Sequence, residues 1–150
     1  MNLELLKEFK DPYMKTPEGQ GAFLSGVLLG YIAYRQVAPS REEGASKGSS
    51  AQGIDKSPLF KQIQFGRLDG RSLKRLLARV PQLIAAYGES LSGVSGSLSR
   101  LCAKAGELLL SGKSDELGVD GNFAFTIGFT NSVAYFWRIF EFRDESGDQE

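Results

Sequence analysis

The feature that most restricts the fold of this chain is an apolar segment with no polar side at helical spacing. Residues 18–37 predict one helix, and the large apolar side chains of residues 23–32 fall in nearly every direction around it. A helix that is apolar on all sides belongs in the middle of a core. The apolar stretch is too short for a membrane span, which needs about 20 residues. Its Gly26 and Gly30 predict a tight helix–helix contact inside that core.

Further segments repeat apolar residues at helical spacing. In residues 71–87 the apolar side chains share an arc of about 120°, and residues 98–110 also place theirs on one face. Residues 120–142 carry aromatic residues on all sides, which predicts a second central helix, and residues 2–10 predict a short opening helix. Strand signals are thin. We therefore predict an all-α fold, a bundle of about five helices with two central apolar helices.

Two of these predicted helices contain residues with specific structural consequences. Pro81 lies inside the 71–87 pattern and predicts a kink, because a proline cannot donate a hydrogen bond to the Leu77 carbonyl. In the 120–142 helix, core packing is the expected role of the aromatic residues, and Phe129 and Trp137 are predicted to be buried.

The sequence predicts one domain over residues 1–150, with two regions outside its core. Residues 39–57 are rich in Ser, Gly, Ala and charge, so they cannot bury enough apolar surface to become ordered, and we expect a mobile loop. Residues 143–150 are expected to form an acidic tail. The N-terminus lacks the pattern of a signal peptide, and the lone Cys102 fits a reducing compartment. A soluble cytoplasmic protein is the expectation.

The residue types needed for catalysis are largely missing. The chain has no histidine and one cysteine, which excludes the usual zinc sites and cysteine–histidine pairs. No glycine-rich loop ends in the Gly-Lys-Ser/Thr that cradles phosphates. Asp115, Glu116 and Asp120 cluster, but their place just before a predicted helix favours capping over metal binding, with Asp120 as the expected N-cap. We predict a protein that is not an enzyme and needs no cofactor or metal.

Charge is distributed unevenly, although 18 basic and 18 acidic residues cancel overall. Residues 54–104 carry nine Lys or Arg against three Asp or Glu, whereas residues 105–150 carry three against nine. In the 71–87 helix the cations fall opposite the apolar arc, and a row of cations along one face suits the repeating phosphates of a nucleic acid. The predicted nucleic-acid-binding residues are Lys56, Lys61, Arg67, Arg71, Lys74, Arg75, Arg79, Arg100 and Lys104.

The basic face has two other interpretations. It is a solvated surface if acids from a neighbouring helix balance it, and Arg100 and Lys104 extend it only if their helix lies alongside. Alternatively, the chain is a helical protein–protein interaction module with no direct nucleic-acid contact, and the basic face docks on an acidic partner surface. Salt-dependent binding of single-stranded DNA separates these hypotheses.

Three blocks of sequence follow one another with characteristic spacing. They are FLSGVLLGYI at residues 23–32 with Arg35-Gln36, then SPLFK at 57–61 with FGRL at 65–68 and SLKRL at 72–76, then DGNFAF at 120–125 with IGF at 127–129. Together they resemble the C-terminal helical domain in large subunits of type I-B CRISPR Cascade. Asn122 and Ala124 stand where that pattern leads us to expect an acidic residue and a tyrosine, so type I-D, whose large subunit has a comparable helical end, remains open.

The resemblance implies a function in antiviral defence. In that family the helical domain is also made separately from an internal start, and this chain begins with Met at the corresponding boundary, which implies a free small subunit. The implied partners are the backbone and large Cascade subunits, further copies of the chain, guide RNA and target DNA, with no membrane. Such a subunit supports the guide–target heteroduplex and the displaced strand, while base pairing reads the sequence.

Overall fold

The computed structural model describes residues 1–37, 53–112 and 116–140 of the chain. Within these ranges there is no strand, and the all-α prediction is confirmed. The α-helices are α1 (Pro17–Val37), α2 (Pro58–Gln62), α3 (Gly70–Ala78), α4 (Val80–Ala86), α5 (Ser95–Leu110), α6 (Gly118–Thr130) and α7 (Ser132–Phe140). Short 3-10 turns lie at Glu4–Glu8, Pro12–Lys15 and Ile54–Lys56. The predicted opening helix is therefore the first of these 3-10 turns.

Helix α1 is the centre of the fold. Every residue from 21 to 34 is buried, as the apolar pattern of this helix predicts. Helices α5, α6 and α7 pack around it, and α6 makes the most extensive contact. One hydrophobic cluster joins α1 to side chains from the N-terminal turns and from α2 to α7.

Glycines bring the backbones of α1 and α6 into direct contact. A Cβ atom added at Gly26 would lie 2.2 Å from the Phe125 carbonyl oxygen, and one at Gly30 would lie 2.6 Å from the Phe129 carbonyl oxygen. From the other side, a Cβ at Gly128 would lie 2.3 Å from the Phe23 carbonyl oxygen. No side chain fits at such distances, so the predicted tight helix–helix contact is confirmed.

The predicted 71–87 helix is divided into α3 and α4 at Arg79. Pro81 lies at the second position of α4, where a missing N–H costs little, so the chain starts a new helix there. The Leu77 carbonyl, which Pro81 cannot reach with a hydrogen bond, accepts one from the Cys102 thiol of α5 at 3.5 Å. The contact between α3 and α5 therefore includes a polar bond at the predicted kink.

The predicted 120–142 helix is also divided, at Asn131 between α6 and α7. The Asn131 Nδ2 donates to the Ile127 carbonyl at 2.9 Å, a local hydrogen bond that competes with helix continuation. Each of the two shorter helices has one side exposed to solvent. The expectation that the aromatic residues of the predicted 120–142 helix all lie in the core is therefore wrong at two positions. Phe129 is 6% exposed, whereas Phe123 is 62% and Trp137 45% exposed.

Two regions named in the sequence analysis fall largely outside the described residues. Residues 39–52 of the predicted mobile loop and the whole predicted acidic tail lie there. The end of the loop segment is described, and it forms the Ile54–Lys56 turn, followed by the buried Ser57. Over the described ranges, no helix is both long and apolar enough to cross a membrane.

Candidate nucleic-acid interface

The predicted basic face begins where helix α3 begins, at a capping box. The Asp69 Oδ1 accepts a hydrogen bond from the Ser72 N–H at 2.8 Å, and the Ser72 Oγ accepts one from the Asp69 N–H at 3.1 Å. These bonds satisfy donors that the first turn of a helix leaves free. They fix the direction of α3, whose apolar side packs on α1 and α5 and whose opposite side carries the cations.

A groove of about 450 Å³ runs between α3 and the segment before it. We call it the basic groove, because three exposed arginines contribute to its walls: Arg67 before α3, Arg75 on α3 and Arg79 at its end. The other lining residues are Gln62, Gln64, Leu68, Asp69, Ser72 and Leu76. The groove thus combines guanidinium and amide donors over a short apolar floor.

Hydrogen bonding positions Arg79 at one end of the basic groove. Its Nη1 donates to the Gln62 side-chain oxygen, which joins the end of α3 to the end of α2. An arginine held in this way keeps further N–H donors for a ligand, since a guanidinium has five. Gln62 and Gln64 were not among the predicted site residues. Both glutamines lie between Lys61 and Arg67, and this position in a basic segment was the sequence signal for a site. The signal is weak, because a glutamine has no charge.

Asn122 holds the segment that carries Arg67. Its Oδ1 accepts from the Leu68 N–H at 2.8 Å, and its Nδ2 donates to the Leu68 carbonyl at 3.0 Å and to the Gly118 carbonyl at 2.8 Å. Asn122 is buried, so these bonds are shielded from water. The amide pairs with both backbone groups of Leu68 and ties the wall of the basic groove to α6. No local sequence pattern indicates this structural role of Asn122.

Asp69 is the acidic residue of the basic groove, and its charge is engaged. The backbone and side-chain hydrogen bonds of Ser72, followed by the charges of Arg71 and Arg75, hold the pKa of Asp69 below its usual value. The carboxylate therefore stays ionised at neutral pH and offsets part of the arginine charge. The net field in the groove remains positive, because three arginines face one carboxylate.

The remaining predicted site residues lie around the basic groove but do not line it. Lys56 and Lys61 are exposed on the preceding turn and on α2, and Arg71 is exposed on α3. Lys74 is half-buried and already has an interaction partner. The structure thus gathers Arg67, Arg75 and Arg79 and leaves these four at the margins.

Helix α5 does lie alongside α3, yet its two cations are engaged elsewhere. Arg100 sits 5.7 Å from the centroid of the Phe140 ring, a cation–π contact. Lys104 pairs with Glu107 at 3.7 Å. Both residues stay outside the groove, so any extension of the basic surface onto α5 involves side chains that already have partners.

The carboxylates considered for metal binding are partly described. Asp115 lies outside the described residues. Helix α6 begins at Gly118, so Asp120 lies in its first turn, and the prediction that Asp120 is the N-cap is wrong by position. A carboxylate in the first turn still complements the helix dipole. In the described part of the chain, no group of three His, Cys, Asp or Glu is placed to hold a metal ion.

Comparison with known proteins adds family membership to this geometry. A family model described as the C-terminal domain of CRISPR-associated protein TM1802 (cas_TM1802) matches residues 2–143. No curated protein and no solved structure matches the chain. The match spans α1 to α7, so both the central helices and the basic groove lie within it.

Proposed function

Since the chain belongs to the family of the CRISPR-associated protein TM1802 C-terminal domain, we propose that it is a non-catalytic small subunit of a type I Cascade complex. Its function is to support the guide RNA–target DNA heteroduplex and the displaced strand in antiviral defence. The proposed partners are the backbone and large subunits, further copies of the chain, guide RNA and target DNA. Subtype I-B, or I-D as the alternative, follows from the sequence resemblance.

The observation that carries this proposal is the basic groove. Arg67, Arg75 and Arg79 approach one concave surface from three positions of the chain. Arginine binds phosphate through two parallel N–H donors, which makes it well suited to a sugar–phosphate backbone. The groove is open to solvent, and its lining residue Gln62 directly follows the exposed Lys61 in the sequence.

The composition of the basic groove favours support of the backbone over reading of bases. None of the described residues that line it is aromatic, and stacking on aromatic side chains is the usual means of holding unpaired bases. Contacts to phosphate position a nucleic acid without sequence preference. In an RNA-guided complex, base pairing with the guide supplies the sequence specificity. The absence of histidine agrees with a role without chemistry.

The test is target-DNA binding by reconstituted Cascade over a salt series, with the wild-type chain or a triple variant, R67Q/R75Q/R79Q. Affinity falls as salt rises, and each phosphate contact makes this fall steeper. If each arginine contacts one phosphate of a single strand, the slope of log affinity against log salt should be less steep by about 2 in the triple variant. A control variant, K7Q/K10Q, removes two exposed charges far along the chain from the groove and should leave the slope unchanged.

Two results would contradict the proposal in different ways. Equal affinity and equal salt slope for the wild-type and groove variants, with both incorporated into the complex, would mean that the groove is only solvated surface. Failure of the folded groove variant to enter the complex would instead favour the protein-docking alternative. Circular dichroism of each variant establishes that the helices are intact.

A further inference from the structure

Two large apolar side chains of helix α6, Val119 and Phe123, are exposed to solvent. Val119 is 86% and Phe123 62% exposed, and the two are neighbours because they lie four residues apart on the helix. Most of the other phenylalanines in the described part of the chain pack into or against the core. A phenylalanine left mostly in water next to another apolar side chain is typical of a surface that binds a partner.

Phe123 forms one wall of a small pocket of about 80 Å³. Phe9 and Phe23 lie on its other sides with their rings 5.1 Å apart in an edge-to-face arrangement. Asp11 and Asp120 contribute carboxylates, and Tyr13 is also part of the lining. We call this the aromatic–acidic pocket. None of the described residues that line it is basic.

Local hydrogen bonds hold the acidic side of the pocket in place. The Asp11 Oδ1 accepts from the Tyr13 N–H at 3.0 Å and caps the Pro12–Lys15 turn. Two cations flank this segment: Lys10, which precedes Asp11 and is exposed, and Lys15, whose Nζ donates to the Phe9 carbonyl at 3.1 Å. Asp120 is exposed in the first turn of α6. The pocket is therefore rigid on its N-terminal side and open at Phe123.

The charged residues that line the pocket, Asp11 and Asp120, are both acidic, while Lys10 and Lys15 are outside the lining. Burial raises the pKa of the Tyr13 phenol, and the charges of Glu18 and Asp120 raise it further. The lining carboxylates repel phosphate, which disfavours nucleic acid as the ligand. A cation is attracted twice, by the carboxylates and by the faces of the aromatic rings.

We propose that the aromatic–acidic pocket receives an arginine side chain of a protein partner. A guanidinium is planar and weakly hydrated, so it stacks on a phenylalanine ring while its N–H groups donate to carboxylates. Val119 and the rim of Phe123 then lie against apolar surface of the same partner. This inference is independent of the proposed nucleic-acid contact, because it uses the other face of α6 and ligands of the opposite charge.

The first test uses blocked arginine (N-acetyl-arginine amide) as the probe, with amide shifts of the folded chain measured by NMR. Blocked arginine should shift residues 123 and 124 in a saturable manner, and the uncharged isostere, blocked citrulline, should not. The D120N variant should weaken binding by about fivefold or more. The E89Q variant removes an exposed carboxylate elsewhere and should bind as the wild type does. Equal shifts from arginine and citrulline would overturn the proposal.

The second test identifies the occupant within the assembled CRISPR complex. A photo-reactive amino acid placed at Val119 should cross-link to a protein peptide that contains arginine, from another subunit or from a second copy of the chain. Cross-linking should fall in the F123A and D120N variants and remain in E89Q. A cross-link to nucleic acid, or one to a peptide without a basic residue, would contradict the proposal. Absence of this cross-link in a complex whose target-DNA binding still depends on Arg67, Arg75 and Arg79 would contradict the pocket and leave the proposed function standing.

Discussion

Two surfaces of opposite character both depend on helix α6. Asn122 bonds to Leu68 in the wall of the basic groove, whereas Asp120 and Phe123 line the aromatic–acidic pocket. At about 100° per residue, Phe123 lies about 100° and Asp120 about 160° around the helix from Asn122. One helix therefore separates a surface suited to phosphate from a surface suited to cations.

The two surfaces are also built by different interactions. Polar bonds hold the basic groove: the Asp69–Ser72 capping box, the Arg79–Gln62 bond and the Asn122 clamp. Packing holds much of the aromatic–acidic pocket, with Phe9 and Tyr135 both against the buried Phe23. Substitutions of buried polar groups should therefore weaken binding at the basic groove selectively. Substitutions near the N-terminus should weaken binding at the aromatic–acidic pocket selectively.

The largest effect should come from the part of α6 that both surfaces depend on. Phe125 is fully buried, and its ring lies 5.9 Å from the rings of Phe65 and Phe129. Replacing it by alanine should cost about 3–5 kcal/mol, because a cavity replaces the ring in the core. The matched F123A variant, two residues away, removes an exposed ring and should change stability by less than about 1 kcal/mol.

Urea unfolding monitored by circular dichroism measures both variants. Because Phe125 lies in the core and Phe123 on the exposed side of α6, the free energy of unfolding should be lower in F125A than in F123A by about 2 kcal/mol or more. Equal destabilisation by F125A and F123A would show that Phe123 is part of the core in solution, and would remove the basis for the aromatic–acidic pocket.

An intermediate effect is expected at Asn122. Replacing it by alanine leaves the Leu68 N–H and carbonyl without partners in a buried position, which should cost about 2–3 kcal/mol. Amide hydrogen exchange of residues 66–69 should accelerate, and binding of target DNA should weaken because the Arg67 wall loosens. Blocked-arginine binding at the aromatic–acidic pocket serves as the control and should be preserved. If N122A lost both target-DNA binding and blocked-arginine binding, the two surfaces would not be separate.

The smallest effect should come from Glu8, which ties the N-terminal turns to α7. Arg138 donates to Glu8 through both terminal nitrogens, one at 3.2 Å, and this bond, followed by the arginine charge, lowers the pKa of Glu8. A lowered pKa in the folded state adds stability above the ordinary value of 4.5, and that stability is lost as pH falls through the folded pKa.

The E8Q variant should therefore have a slightly lower Tm than the wild type at pH 7, and the difference should shrink below pH 4. Thermal unfolding at a series of pH values measures this. In E8Q, blocked-arginine binding at the aromatic–acidic pocket should weaken more than DNA binding at the basic groove, because the pocket residues Phe9 and Asp11 lie within three residues of Glu8. A Tm difference that persists unchanged at pH 3 would mean that the Glu8–Arg138 pair does not form in solution.

Local patterns predicted much of the fold. The apolar sequence of α1 predicted a central buried helix, and the Gly26 and Gly30 pair predicted the close contact. Pro81 predicted a kink in the 71–87 helix, where the structure has a division into two helices. These features depend on neighbours within a few residues, and helical spacing makes them readable. The break at Asn131 was missed because the aromatic pattern continues through it without a proline or glycine.

The candidate site was predictable only in part, because only some of its features depend on residues that are close in sequence. The cations of residues 67–79 lie close in sequence, so their concentration was visible, although their division between groove and margin was not. That division depends on Gln62, which bonds Arg79, and on Asn122, which lies 54 positions from its partner Leu68. The aromatic–acidic pocket draws on residues from 9 to 127. No sequence pattern joins residues so far apart.

The amino-acid sequence by itself determined that the chain is helical, that α1 is buried on all sides, and that positive charge is concentrated between residues 54 and 104. Tertiary structure decided which arginines line a common groove and which aromatic residues of α6 and α7 face solvent. The physical reason is that helical periodicity specifies the side chains sharing a face, while the packing of neighbouring helices determines whether that face meets the core or water.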